Sequence, residues 1–449
     1  MNVTGFKTRL HLNNTQEAAF YQWAGARRYA WNFALRHYDI FQEAESLKNE
    51  KYKPKLSNLK EINKWFNAGK YPLGFQKKNK SGVLYGTGQH EWARDIPASI
   101  CQHAIKRDLK ESWRRCYNKV SKRPKPAKRH DAPSFCISNI EIKHRDINTI
   151  TKCINLPKKM GSARLGDLPT WFNESRLLGS TFSEKAGKWY VSFTIELPDE
   201  YYYKKSHATN TNAGLDIGIA IWGMDSEGKK YQMPKEDLKA IKQEIERLQR
   251  KQASHVIRSA IVIKNNCKVC ADKKFDGMNH VRYLCAECRQ QIRKPSRTYK
   301  KYKKKIAKLN AKLAAIRNNS SHWMTNLLIK RYETIAIEDL KISNMTRSAR
   351  GDSENPGKRV KQKSGLNREI LNISPHKIRA MLSYKSKKRG RIIKIVPPQF
   401  TSQTCSECGY RAADNRETQA KFECKSCGFT CNADLNAAKN ILTKSNQLE

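Results

Sequence analysis

Hydrophobic and polar positions change period several times along the chain. TGFKTRLHL (4–12) alternates and predicts a short strand. The next run, NNTQEAAFYQWAGARRYAWNFALRHYDIF, opens at a polar cap and carries aromatics at three- and four-residue spacing, which predicts a helix. A helix-rich, basic segment continues to about residue 120, and SKRPKPAKRH (121–130) reads as a proline-interrupted basic linker. From about residue 132 the period becomes two. In WYVSFTIEL, Trp189, Val191, Phe193, Ile195 and Leu197 alternate with Tyr190, Ser192, Thr194 and Glu196. That predicts a half-buried strand, joined through the turn at AGK to STFSE before it. The N-terminal strand is expected to complete the same β unit, with the helical segment inserted into it. PDEYYYKKSHATNTN (198–212) reads as the linker out.

The second half mixes both periods. AGLDIGIAI, YETIAIEDL and RIIKIVPP predict apolar strands. Between the first two, Leu238, Ile241, Ile245 and Leu248 recur in steps of three and four, and Ile306, Leu309, Leu313 and Ile316 repeat that spacing. Two heptad-like helices of this kind predict an antiparallel hairpin.

Length and composition narrow the picture. A chain of 449 residues, 38% hydrophobic, is long enough for two to four domains with real cores. No apolar run approaches the ~20 residues of a membrane span, and no signal segment opens the chain, so a cytoplasmic protein without membrane partners is expected. Charge changes the picture most: 88 Lys and Arg against 41 Asp and Glu give +47. An excess of that size repels itself in a compact fold unless a polyanion neutralises part of it, and nucleic acid is the natural counterion.

Thirteen cysteines without an extracellular context argue for metal before disulfides. Cys267-x-x-Cys270 is followed by Cys285-x-x-Cys288, and Cys405-x-x-Cys408 by Cys424-x-x-Cys427. Each CxxC lets two thiolates reach one tetrahedral zinc, so about two structural zinc ions per chain are expected. Lying between the two heptad helices, the first quartet reads as a zinc knuckle at the hairpin tip. Cys101, Cys116, Cys136 and Cys153 are isolated and read as small core or surface residues. Cys431 is a less suitable ligand than the CxxC pair near it.

The acids are fewer. Alternation puts Gly214, Asp216 and Gly218 on one strand face, with Leu215, Ile217 and Ile219 on the other. It likewise puts Thr334, Ala336 and Glu338 opposite Ile335 and Ile337, and turns Asp339 away. Both strands thus carry one acid among small residues, over which a bulky phosphodiester could approach. Asp434, in CNADLNAAKNIL (431–442), is either their third partner or the cap of a C-terminal helix. Three such carboxylates could hold two magnesium ions ~3.5–4 Å apart, one activating water and the other stabilising the leaving oxygen.

GLDIG, IAIEDLKISNM, TSQTCSECG with CKSCG, and NADLNAAKNIL, in this order, resemble the motifs of the transposon-encoded TnpB nucleases, which are similar to the compact type V CRISPR effectors. GLNREILNISPHKIRAMLSYKSKKRGRIIKIVPPQF and LHLNNTQEAAFYQWAGARRYAWNFAL fit the same family. The resemblance covers the first 40 residues and nearly all of 211–442; residues 45–200 match in general layout only.

The resemblance implies a multidomain α/β and α+β protein. A wedge-type β-barrel (1–10 and 132–205) would be split by a helical recognition domain (11–131). A RuvC-like nuclease domain of RNase H-like fold would follow (206–400, with the zinc knuckle at 265–290). A target-nucleic-acid-binding zinc ribbon (401–431) would interrupt it before the last RuvC motif and C-terminal helix (432–449). It makes Asp216, Glu338 and Asp434 catalytic, and implies a magnesium-dependent endonuclease that cuts double-stranded target DNA beside a short motif; the sequence does not fix monomer or dimer, and a monomer is expected. The partner would be a transposon-derived guide RNA, the host a prokaryote, and the bound protein nucleoid-associated. Base pairing then reads sequence while the protein holds backbone. Two features depart from the family pattern. The quartet at 267–288 lies where many relatives have a short loop, so it either grips nucleic acid or clamps the hairpin tip. Ala433 also stands where an arginine often precedes the aspartate, although other relatives share the NAD reading. The alternatives are an RNA-guided repressor that does not cut, and an RNA-independent transposase or resolvase on the same fold.

The basic runs 294–308 and 385–391 are expected along an RNA–DNA duplex or as solvated helix faces. Tyr21, Trp23, Tyr29, Trp31 and Phe33 are expected to divide between base stacking and helix packing.

Overall fold

A computed structural model describes residues 2–48, 55–73, 76–79, 82–202, 209–271, 284–293, 296–352, 355–416, 418 and 420–447. The chain divides into two compact units, Met1–Tyr201 and Tyr202–Glu449.

In the first unit β1 (Asn2–His11) leads into α1 (Asn14–Lys48), α2 (Asn58–Ala68) and the hairpin of β2 (Gln76–Asn79) and β3 (Gly82–Tyr85). Two short helices follow, α3 (Ala98–His103) and α4 (Lys110–Tyr117). The β strands then run as β4 (Ser134–Ser138), β5 (Ile147–Asn148), β6 (Cys153–Asn155), β7 (Ser162–Leu165), β8 (Arg176–Lys185) and β9 (Lys188–Leu197). They form a seven-stranded sheet in the order β4-β8-β9-β1-β7-β6-β5, its paired strands antiparallel. β1 sits between β9 and β7, so the helical segment is threaded between two parts of one sheet. Among the described residues β4 and β5 end the order unpaired with each other, so the sheet is open rather than the closed barrel the resemblance implies.

The alternation in WYVSFTIEL buries Trp189, Val191, Phe193, Ile195 and Leu197, each no more than 3% exposed. α1 lays Phe20 and Trp23 against that face, where Phe20 meets Phe135, Phe182 and Trp189 at centroid distances of 5.1–5.2 Å. The aromatics of α1 differ in burial. Trp23 is core, Trp31 donates its indole N–H to the Lys125 carbonyl at 3.0 Å, and Tyr21 and Tyr29 stay exposed.

A four-residue turn of helix, α5 (Asp199–Tyr202), stands at the join between the units. Of the predicted linker 198–212, residues 203–208 lie outside the described residues. The second unit is built on β10 (Asn212–Asp216), β11 (Gly223–Asp225), β12 (Lys230–Tyr231), β13 (Thr334–Glu338) and β14 (Ile392–Val396). The sheet order is β12-β11-β10-β13-β14, with β10, β13 and β14 parallel and β11 and β12 antiparallel. Both acid-bearing strands are shorter than the apolar runs predict. β10 stops at Asp216, because the chain turns back at once to pair Asp216 with Met224, and Gly218 and Ile219 fall in that turn.

Long helices α6 (Lys235–Asn265) and α8 (Arg297–Arg331) make an antiparallel hairpin, with Gln252 opposite Tyr299 and His255 opposite Ser296. Ile241, Ile245 and Leu313 form its seam, packed by Leu238, Ile306, Leu309 and Ile316. α7 (Ala286–Arg293) lies at the hairpin tip, where 272–283 of the predicted knuckle lie outside the described residues. α9 (Ile342–Met345), α10 (Val360–Ile373), α11 (Pro375–Arg389), the ribbon strands β15 (Lys421–Glu423) and β16 (Thr430–Asn432), and α12 (Ala433–Asn446) complete the unit. The greasy sheet face, Ala213, Leu215, Ile335 and Ile337, is covered by Met324, Leu328 and Ile329 of α8 and by Ile378 and Leu382 of α11.

Candidate active site

The opposite face is built from small residues because a helix lies directly on it. A methyl added at Gly214 would sit 2.1 Å from the Ala438 carbonyl oxygen and 2.6 Å from the Leu442 nitrogen, both backbone atoms of α12. Ala336, Val396 and Ile441 pack together in the same layer. Gly214→Ala is therefore expected to lift α12 from β10, at about 1–3 kcal/mol or more for an overpacked backbone contact. Thermal unfolding reads this as a drop of several degrees, and an unchanged midpoint would contradict the close approach.

That contact brings three acids together. β10 and β13 run parallel in the register Leu215↔Ile337, so Asp216 and Glu338 follow side by side at the ends of neighbouring strands. Asp434 arrives in the first turn of α12. It is not the cap: Asn432 takes that role, its side chain accepting from the backbone N–H groups of Asp434 and Leu435. Asp339 leaves the cluster and pairs with Arg379, as strand alternation requires.

Burial and mutual repulsion make the cluster costly as it stands. Asp216 is pushed up to about 7, by burial first and then by the charges of Glu338 and Asp434. Glu338 and Asp434 are raised mainly by burial. Opposing this, Thr401 donates from Oγ1 to Glu338 Oε1 at 2.6 Å, and Arg416 lies 3.6 Å from Asp434. Three hard oxygen donors that repel one another in a partly dry site fit a divalent cation such as magnesium, whose charge would relieve the repulsion. The three carboxylates do not converge to one point as the thiolates below do.

Sequence reasoning gave none of these contacts: Arg416 lies outside every motif, while Thr401 opens TSQTCSECG and Asn436 and Asn440 lie in NADLNAAKNIL, motifs that mark the positions but not what they touch. The Asn436 and Asn440 amides donate from α12 to the Thr401 and Thr404 carbonyls at 2.6–2.8 Å and tie the loop beside the acids to the helix that carries Asp434.

Both cysteine quartets assemble. Within each, all four sulfur atoms lie within 4.8 Å of one another. Sγ separations of 3.7 Å (Cys267–Cys285), 3.8 Å (Cys405–Cys427) and 3.6 Å (Cys408–Cys424) rule out bonded disulfides. They match the ~3.8 Å edge of a tetrahedron with ~2.3 Å zinc–sulfur bonds. The CxxC turns also aim backbone N–H groups at sulfur. The N–H of Cys427 chiefly draws Cys424 down to about 6, and that of Cys288 draws Cys285 down to about 7, which favours one thiolate in each quartet, while burial raises Cys405 and Cys288. Cys431 stays outside its neighbouring quartet.

The basic runs divide. On α8, Lys300, Lys301 and Lys303 to Lys305 are exposed, whereas 294 and 295 lie outside the described residues. On α11, Lys385 is not a surface charge: it donates to Thr325 Oγ1 and the His322 carbonyl, and burial pulls it down to about 8.

Three family descriptions match along the chain: Helix-turn-helix domain over 1–40, Probable transposase over 278–349, and Cas12f1-like, TNB domain over 376–441. In this chain the first span is a strand and the start of a long helix. InsQ of Escherichia coli (strain K12), named as an RNA-guided DNA endonuclease, is 30% identical over 445 residues, 98% of this chain and 92% of InsQ. The CRISPR-associated endodeoxyribonuclease Cas12f1 of Sulfoacidibacillus thermotolerans is 35% identical over 144 residues, 31% of this chain and 29% of that protein. The solved complex of CasPhi-2 (Cas12j) with crRNA overlays 99% of this chain and 98% of that one at a TM-score of 0.40 and 13% identity, too loosely to define a shared arrangement. The full-length relationship to InsQ carries the assignment, and the chain belongs to the TnpB family of transposon-encoded RNA-guided nucleases.

Proposed function

We propose that this protein is an RNA-guided DNA endonuclease that hydrolyses phosphodiester bonds at Asp216, Glu338 and Asp434. One observation carries the reading: three half-buried or buried carboxylates from two parallel strands and one helix meet on the small-residue face of the sheet, within electrostatic reach of one another. These residues would hold magnesium, as a pair of ions, and the metal when bound supplies the charge that activates water and stabilises the leaving oxygen. The chain itself does the rest. Gly214 lets α12 close on the sheet, Asn432 caps the helix and leaves the Asp434 carboxylate to the cluster, and the Thr401 hydroxyl orients Glu338. Arg416 offsets charge beside Asp434.

In this reading 1–10 and 132–205 form a wedge-type β domain and 11–131 a helical recognition domain. Residues 206–400 and 432–449 form the RuvC-like nuclease domain. The quartet at 401–431 is the target-nucleic-acid-binding zinc ribbon, and that at 265–290 is a second zinc site. Exposed lysines along α8 and the +47 charge support a guide RNA and target DNA as partners. That all three acids are present and gathered speaks against a repressor that cannot cut.

The test is to express the gene with its native flanking DNA, purify the protein and sequence the RNA that accompanies it. One discrete RNA, with a constant part and a variable end, is expected. A featureless mixture of cellular RNA would overturn guidance and leave a protein-only nuclease.

A further inference from the structure

Phe400 stands at a place where a phenylalanine is costly. Its φ is +63°, in the left-handed region that side chains with a Cβ rarely enter. Of the described non-glycine residues with positive φ, it is the one aromatic. The turn holds it there: the Phe400 carbonyl accepts from the Gln403 and Thr404 backbone N–H groups and from Thr404 Oγ1, at 2.9–3.1 Å. Strain of this kind persists where the surroundings over-determine it, and it collects at functional sites.

The strain leaves the ring unburied. Phe400 is 46% exposed, so no core packing accounts for the conformation. The Arg411 guanidinium lies 3.7 Å from the ring centroid, held by the bridge that pairs Arg411 with Thr404. Tyr410 beside it is 47% exposed. The next residue after Phe400 is Thr401, which is 3% exposed and hydrogen-bonded to Glu338. An exposed aromatic–cation pair is thus fixed one residue from the buried hydroxyl that hydrogen-bonds Glu338. Aromatic faces and guanidinium planes are the groups on which unpaired bases stack, and a cation beside them attracts the backbone.

We propose that Phe400, backed by Arg411, is the stacking platform for an unpaired nucleobase of the DNA strand being cut, holding the nucleotide next to the scissile phosphate. This rests on the nuclease reading above. It makes Phe400 a substrate-binding residue whose conformation serves the ligand and not the fold.

The test uses the full-length chain, with the RNA it retains, carrying Asp216→Ala to prevent cutting. Single-stranded DNA bearing 2-aminopurine at one position in turn is titrated in. Stacking quenches 2-aminopurine, so quenching at a single position is expected. Phe400→Gly should abolish it and Phe400→Trp should retain it. With Asp216 intact, Phe400→Gly should raise the DNA concentration needed for half-maximal cutting about tenfold, the scale of one lost base–aromatic stack. Because glycine accepts a positive φ, the thermal midpoint of Phe400→Gly should hold or rise. Unchanged quenching in Phe400→Gly overturns the proposal. So does a fallen midpoint with activity lost in Phe400→Trp as well, which would make the ring a packing element. If the chain with Asp216 intact cuts no DNA, the nuclease reading fails, while the quenching still reports on the platform by itself.

Discussion

Asp216→Ala and Glu338→Ala are each expected to abolish DNA cutting, by roughly 10³-fold or more, while bound RNA stays with the protein. A ligand carboxylate of a catalytic metal contributes several kcal/mol of transition-state stabilisation, and each ~1.4 kcal/mol is a factor of ten in rate. The RNA would be held elsewhere, by the basic surface, which neither change touches. Full cleavage by either purified variant would remove these residues from the reaction. Stability should move the other way. Burial and the charges of Glu338 and Asp434 raise Asp216 to about 7, so the folded chain holds a proton there that the unfolded chain, near ~4, has released. The contribution of this group is therefore best at low pH and is lost as pH rises through about 7. Without divalent cation, Asp216→Asn should raise the thermal midpoint at pH 8, and the gain should fade towards pH 4. A gain independent of pH would mean that the charge is not what the site resists. This is the usual conflict between a functional site and a stable one.

Loss of zinc from the 405–427 quartet is expected to be nearly as damaging as loss of an acid. A structural zinc site contributes apparent binding energy of roughly 10–16 kcal/mol at neutral pH, and little else supports the ribbon. Its buried apolar cluster is Cys405, Phe422, Cys424 and Ala433, half of it cysteines of the quartet itself. The ribbon is also bound to α12, the helix that carries Asp434, through Asn436 to Thr404 and Ser406 and through Asn440 to Thr401 and Thr404. Cys405→Ser or Cys424→Ser should therefore unfold the ribbon, release Thr401 from Glu338 and stop cutting. Metal analysis of the unaltered chain should return about two zinc ions, and each of these variants about one. Cys270→Ser should also lose one zinc, but its cluster with Ile263, Leu284 and Cys288 sits at the hairpin tip, away from the acids in the fold of this unit. Zinc retained in Cys424→Ser, or a metal count of one in the unaltered chain, would show that a quartet has been misassigned.

Some of this was legible along the chain, because it depends on neighbours a few residues apart. Alternation alone put Asp216 and Glu338 on small-residue faces with an apolar face behind, and turned Asp339 away. CxxC spacing marked both quartets, heptad steps marked α6 and α8, and the alternating run ending at Leu197 marked β9. What the tertiary structure decided is pairing between distant segments. Sheet register set Asp216 beside Glu338, and the contact of α12 with Gly214 brought in Asp434 from more than two hundred residues away. Only the fold showed that Asn432 is the cap, that Thr401 and Arg416 reach the acids, that Lys385 is half-buried against α8 and that the first sheet is open. The left-handed Phe400 belongs with these. Periodicity reports which face of its own element a residue occupies, and no local pattern encodes what another element will lay against that face.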